Sequence, residues 1–142
     1  MRIPNNFVEI SIKRNRLNKK VVNVEIKSVP LYDSDQWKYT KLDTVFTASL
    51  VDYSKIVASV KFIKQEDLYN NLSLLGIDGY NTTLSFGDSS NSITYSIFGP
   101  TYDTVERKLV PFLKTCELIL AYAGLNIEDI FEKHVDKKKY SN

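Results

Sequence analysis

The segment from Asp78 to Pro100, DGYNTTLSFGDSSNSITYSIFGP, admits few folds. Tyr80, Thr82, Leu84 and Phe86 alternate with Asn81, Thr83 and Ser85. Gly87 to Asn91 then reverses the chain, and Ile93, Tyr95 and Ile97 alternate with Ser92, Thr94 and Ser96. Successive strand residues point to opposite faces, so this period of two predicts an antiparallel hairpin with one apolar and one small, polar face. An apolar sheet face needs a cover. The following residues supply one: Val105, Leu109, Phe112, Leu113, Cys116, Ile119, Leu120 and Ala123 recur in steps of three and four, one stripe of a helix from Asp103 to Ala123. Pro111 either kinks that helix or opens its main part, and Gly124 ends it.

The same alternation occurs upstream. Val8, Ile10 and Ile12 share one face of a strand from Phe7 to Ile12, and Val22, Val24 and Ile26 share one face of a strand from Val21 to Lys27. KRNRLNKK, Lys13 to Lys20, joins them as a long basic hairpin tip. Pro30 lacks an N–H for the ladder and ends the second strand or marks an edge. Thr44 to Val51 and Lys55 to Ile63 read as a second hairpin around DYS, with Phe46, Ala48 and Leu50 on one face and Ile56, Ala58, Val60 and Phe62 on the other strand's face. A helix across Leu50 to Ile63 is the alternative; the β-branched residues favour strands. Leu68, Leu72 and Leu75 follow helical spacing after the acidic Glu66 and Asp67, and Gly76 stops that short helix. Asn126 to Val135 reads as a last short helix.

The expected fold class is therefore α+β: one antiparallel sheet of about six strands built from hairpins, one face covered by a long C-terminal helix with two short helices. At 142 residues, 43% hydrophobic and 25% charged, the chain has the size and composition of one globular domain with a full core, expected over 1–135 with a charged, frayed tail over 136–142. The net charge of +2 is too balanced to dictate a nucleic-acid or membrane partner. One cysteine excludes an internal disulfide and suits a reducing compartment. There is no apolar stretch of signal-peptide or membrane-spanning length, so the expected location is the cytoplasm, with no membrane partner. Abundant Asn, Lys, Ile and Tyr suggest an AT-rich bacterial gene.

No constellation for chemistry stands out. His134 is the sole histidine, without a second His or a CxxC at metal-ligand spacing, and suits a helix C-terminal end. Cys116 lies on the apolar stripe and reads as core. Glu66/Asp67 and Glu128/Asp129 read as helix N-terminal charges, and Asp33/Asp35 as turn residues or part of a binding patch. No phosphate-loop pattern occurs, and neither a cofactor nor a metal is expected. Lys13 to Lys20 carries five cations without an interleaved aromatic, which makes nucleic acid a poor fit and leaves a solvated loop or an acidic protein partner. The segment LYDSDQWKYT sets Tyr32, Trp37 and Tyr39 among Asp33 and Asp35, a mixture typical of interface anchors. These five are the expected partner-binding residues, and their charge favours a basic protein partner. The alternative is that Trp37 folds back onto the sheet edge.

From Glu66 to Leu125, the order of helix, DGYNTTLSF, SITYSIFGP and a helix ending LAYAGL resembles small α+β immunity-type proteins of bacterial polymorphic toxin systems. The resemblance implies a cytoplasmic, non-catalytic inhibitor that occludes a cognate toxin domain. It carries no site residues, because such proteins share no common binding motif. Two other functions fit the residues: an enzyme or small-ligand protein with a pocket lined by Tyr80, Tyr95, Tyr102 or Tyr122, and a phage or host regulatory binding protein.

Overall fold

The computed structural model describes residues 6–30, 42–69, 71, 80–88 and 90–125. It is α+β, with two antiparallel sheets. Strands β1 (Asn6–Arg14), β2 (Val21–Pro30) and β3 (Leu42–Ser49) form a three-stranded sheet in the order β1-β2-β3. Helices α1 (Leu50–Val60) and α2 (Gln65–Tyr69) follow. Strands β4 (Asn81–Gly87) and β5 (Ser92–Phe98) form a two-stranded sheet, and helix α3 spans Val110–Tyr122. The chain divides into two compact units; their described parts are 6–30, 42–58 and 117–125 in the first, and 59–69, 71, 80–88 and 90–116 in the second, so the division falls inside α1 and α3.

In the first unit, β1 and β2 pair with Ile10 opposite Ile26 and Ile12 opposite Val24. β2 and β3 pair with Val24 opposite Phe46 and Val22 opposite Ala48. The period-2 pattern thus puts the apolar side chains of three strands on one face. Val22, Val24, Ile26 and Ala123 are its buried centre, with Ile10, Ile12, Phe46, Ala48, Leu50, Tyr53, Tyr122 and Leu125 packed around them. The opposite face is mainly polar, with Val45 exposed on it, and Lys27 lies 2.8 Å from Glu25 there. That hydrogen bond and charge, with Lys13 adding to them, hold the Glu25 carboxyl below its ordinary value.

The segment from Lys55, expected as a strand to Ile63, is helical as far as Val60, and among the described residues five strands form two sheets where about six in one were expected. Local chemistry decides it. The Ser49 hydroxyl accepts from the Val51 N–H, a helix N-cap, and Asp52 in the first turn pairs with Lys55 at 3.0 Å. Burial follows the helical spacing: Tyr53, Ile56 and Val60 are covered, whereas Ala58 and Phe62, on the supposed strand face, are exposed, Phe62 by 72%.

The second unit buries Leu68, Leu84, Ile97, Leu109, Phe112 and Cys116. The expected β4–β5 hairpin forms, with Leu84 opposite Tyr95 and Phe86 opposite Ile93. Its reversal is fixed by the Asp88 carboxylate, which accepts from the N–H groups of Ser90 and Asn91 at 2.8 Å. The Asn91 bond and then the Ser90 bond hold the Asp88 carboxyl below its usual range. Gly87 has φ +136, and a Cβ there would strike the Asn91 carbonyl oxygen. Gly87→Ala is expected to cost about 2–3 kcal/mol, from backbone strain plus collision with main chain that cannot step aside. A urea titration of the variant reads this as a lower midpoint at unchanged slope.

Helix α3 opens at Val110, not near Asp103. Asp103 (φ 44) and Lys108 (φ 56) adopt left-handed conformations that interrupt any helix between them. Pro111, in the first turn where no N–H is required, opens the helix rather than kinking it. Val105, expected on the buried stripe, lies in the preceding turns and is 73% exposed. The helix ends in a Schellman motif: Leu125 N–H donates to Leu120 C=O and Gly124 N–H to Ala121 C=O, with Gly124 at φ +75. Thr115, fully buried, is bonded to the Pro111 carbonyl at 3.1 Å and to the Ser59 hydroxyl at 2.9 Å. Leu72, Leu75, Gly76, the Asn126 to Val135 helix and the 136–142 tail lie outside the described residues.

Candidate functional site

The second unit contains a groove of about 170 Å³ beside β5. α2 provides Gln65, Leu68 and Tyr69 on one side; Ile93, Thr94, Tyr95, Ser96 and Ile97 form the other. Its sequence origin is direct. Helix α2 buries Leu68 and so turns Tyr69 outward, and the alternation of β5 places Ile93 and Tyr95 on the face that carries buried Ile97. Ile93 is 49% and Tyr69 62% exposed, so the groove has an apolar rim. Tyr95 is held by the ring of Phe86, with centroids 5.7 Å apart and planes at 53°. None of the lining side chains carries a charge. The volume suits one or two amino-acid side chains and falls below the ~300 Å³ at which small-molecule sites begin.

The β5 edge has a definite hydrogen-bonding phase. Gly99 N–H donates to Tyr80 C=O and Asp88 N–H to Asn91 C=O, both at 2.8 Å. Bonded pairs alternate in an antiparallel ladder, so Thr82/Ile97, Leu84/Tyr95 and Phe86/Ile93 exchange the ladder bonds between those ends. The main-chain groups of Ile93, Tyr95 and Ile97 therefore aim at β4, and those of Ser92, Thr94, Ser96 and Phe98 aim away from it. Side-chain hydroxyls pair across the other face, Ser85 with Thr94 at 2.9 Å and Thr83 with Ser96 at 3.3 Å.

Where β5 ends, Arg107 gathers the loop. Its guanidinium donates to the carbonyls of Phe98 (2.9 Å), Gly99 (2.7 Å) and Tyr102 (3.1 Å), and to Asn71 Oδ1 (2.8 Å). Asn71, 3% exposed, returns its Nδ2 hydrogens to the Arg107 and Asp67 carbonyls at 3.1 and 2.7 Å. Burial draws the guanidinium down from its ordinary value, and Asp103 opposes this. Nothing in the sequence singled out this residue: between Glu106 and Lys108 it reads as ordinary surface charge.

The partner-binding residues expected from sequence, Tyr32, Asp33, Asp35, Trp37 and Tyr39, lie outside the described residues, as do His134 and Glu128/Asp129. The basic tip is ordered by side-chain turns: Asn15 Oδ1 accepts from the N–H groups of Leu17 and Asn18, and Asn18 Oδ1 from that of Lys20. Arg14 sits 6.0 Å from the Tyr53 ring centroid. Among the four tyrosines of the alternative pocket, only Tyr95 lines the groove. Tyr80 shares a 2.8 Å hydrogen bond with Thr101, Tyr102 lies against Gly99, and Tyr122 in the first unit donates to the Ser49 carbonyl at 2.8 Å. Burial, ahead of the charge of Asp52 and the neighbouring Tyr53, pushes the Tyr122 hydroxyl above its ordinary value. Cys116 is buried. Among the described residues, no group of three His, Cys, Asp or Glu side chains comes together to hold a metal, and no helix is long and apolar enough to cross a membrane.

No protein-family model, curated protein or solved structure matches this chain.

Proposed function

We propose that this chain is a non-catalytic protein-binding module of the immunity type, which neutralises a cognate bacterial toxin by occluding it. The observation that carries the binding part is the groove beside β5: an apolar recess with exposed Tyr69 and Ile93 at its rim and no charged side chain in its lining. Such a surface gains free energy by being covered, and its titratable lining groups are the hydroxyls of Tyr69 and Tyr95, with no carboxylate, histidine or lysine in the lining to work with them. The immunity part rests on the order of elements from Glu66 to Leu125. The acidic, aromatic segment around Trp37 would add electrostatic attraction to a basic toxin domain.

The test begins with the tagged full chain expressed in its native host. A co-purifying protein is identified by mass, made separately and assayed for toxicity and for the activity its own sequence indicates. Stoichiometric inhibition by the purified chain is the expected result. A partner whose activity is unaffected at saturation overturns the inhibitor reading. Inhibition undiminished by a Trp37→Ala/Asp35→Ala double variant with an unchanged melting temperature removes that segment from the interface.

A further inference from the structure

We infer that the outer edge of β5 is a docking site for an extended, uncharged peptide segment of a protein partner, which joins the β4–β5 sheet as a third strand and sets one apolar side chain into the groove. The inference rests on the protein-binding reading above and specifies how that binding is made.

Three observations converge on the edge. First, the ladder phase aims the N–H and C=O groups of Thr94 and Ser96 away from β4, and among the described residues nothing pairs with them. The next outward carbonyl, that of Phe98, is satisfied by Arg107. Among the described residues, Arg107 thus closes the end of the strand and nothing occupies the ladder positions of its middle. Second, β5 itself carries none of the usual strand-borne protection, and α2 lies across the groove from it. Exposed edge strands are normally blunted by Lys, Pro or a bulge. Ser92 to Ile97 contains no charge and no proline, and its register with β4 is unbroken. On β1, by contrast, Lys13 and Arg14 guard the end of the strand. Third, the groove lies along this same edge, where an added strand's side chains would point. Main-chain bonds then supply affinity and the recess supplies selectivity, as in other cases of strand addition. The recess is lined by Leu68, Tyr69, Ile93 and Ile97 and would desolvate a charged side chain without a counter-charge, so the anchoring residue is aliphatic or aromatic.

The probe is a displayed library of random linear peptides, selected against the intact chain. The best binder is then synthesised unmodified and in two N-methylated forms, one for each alternate set of backbone amides. The expected winners are uncharged and rich in β-branched or aromatic residues at alternate positions. One N-methylated form, the one whose amides face β5, should bind at least about tenfold more weakly, and the other about as well as the parent. Ser96→Pro should weaken binding by a similar factor with little change in melting, because the N–H it removes makes no bond within the sheet. Tyr69→Ala should weaken it through the recess. Failure to select any binder, or equal binding by both N-methylated forms, overturns the inference, and the peptide arm stands even if Ser96→Pro unfolds. A chain that sediments as a dimer and becomes monomeric on Ser96→Pro also overturns it, since the occupant is then a second copy. Toxin inhibition that persists undiminished in a folded Ser96→Pro variant removes strand addition while leaving the binding module intact.

Discussion

Leu109→Asp is expected to abolish cooperative unfolding of the second unit. Leu109 has no exposed surface, and its carbonyl accepts the first bond of α3 from Leu113 N–H at 2.9 Å. Replacing it loses roughly 2–3 kcal/mol of apolar burial. It also forces a carboxylate into a fully buried position, or forces that carboxyl to protonate. Together these exceed about 4–5 kcal/mol, comparable with the ~5–15 kcal/mol that holds a domain of this size folded. Calorimetry should show no heat-absorption peak for this unit. Leu109→Met keeps volume and polarity and should cost less than about 1.5 kcal/mol. Val105→Asp is the informative control. Sequence periodicity places Val105 on the same stripe, yet it is exposed, and the substitution should stay within about 0.5 kcal/mol. Equal damage from Val105→Asp and Leu109→Asp would contradict the late start of α3.

Arg107→Ala is expected to be the most damaging change at any charged residue described. The side chain donates to three main-chain carbonyls and to buried Asn71. Removing it leaves these acceptors to water where water reaches them and unpaired where it does not. Bonds from a charged donor contribute about 1.5–3 kcal/mol singly, but they share one side chain and are not additive, so about 3 kcal/mol in total is expected. This corresponds to a fall on the order of 10 °C in Tm. Arg107→Lys should recover little of it, because an ammonium cannot span carbonyls that a planar fork reaches together. Thermal melts of the two variants beside the parent decide the matter; a lysine variant as stable as the parent would show that charge alone suffices.

The hairpins were legible in the sequence because their signal is local. Val22, Val24 and Ile26 mark a buried face whichever strand pairs with them, and Gly87 with Asp88 marks a reversal regardless of context. The α1 segment was misread because Ile56 and Val60 satisfy both a period of two and a helical one. The deciding residues, Ser49 as cap and Asp52 in the first turn, precede the ambiguous run. The beginning of α3 was illegible for another reason. Left-handed Asp103 and Lys108 are held by the surrounding loop, and neither is a glycine that would announce such a conformation. Division into sheets of three and two strands depends on pairing between distant segments, which periodicity does not report. Of the candidate site, the apolar phase of Ile93, Tyr95 and Ile97 was visible. The placement of α2 beside β5 and the reach of Arg107 from one loop to another were not, since both join residues far apart in the chain.

The guanidinium at the end of β5 has a bearing on length. By occupying the Phe98 carbonyl, Arg107 sets a terminus on the strip of backbone open to a guest. Beyond Ser96 the next outward carbonyl is taken, so a visitor forms a full ladder over the stretch from Ser92 to Ser96, reads out as a short motif of a few residues, and if longer must bend away at that stop. The same cation that knits the loop together thus acts as a ruler for whatever lies alongside.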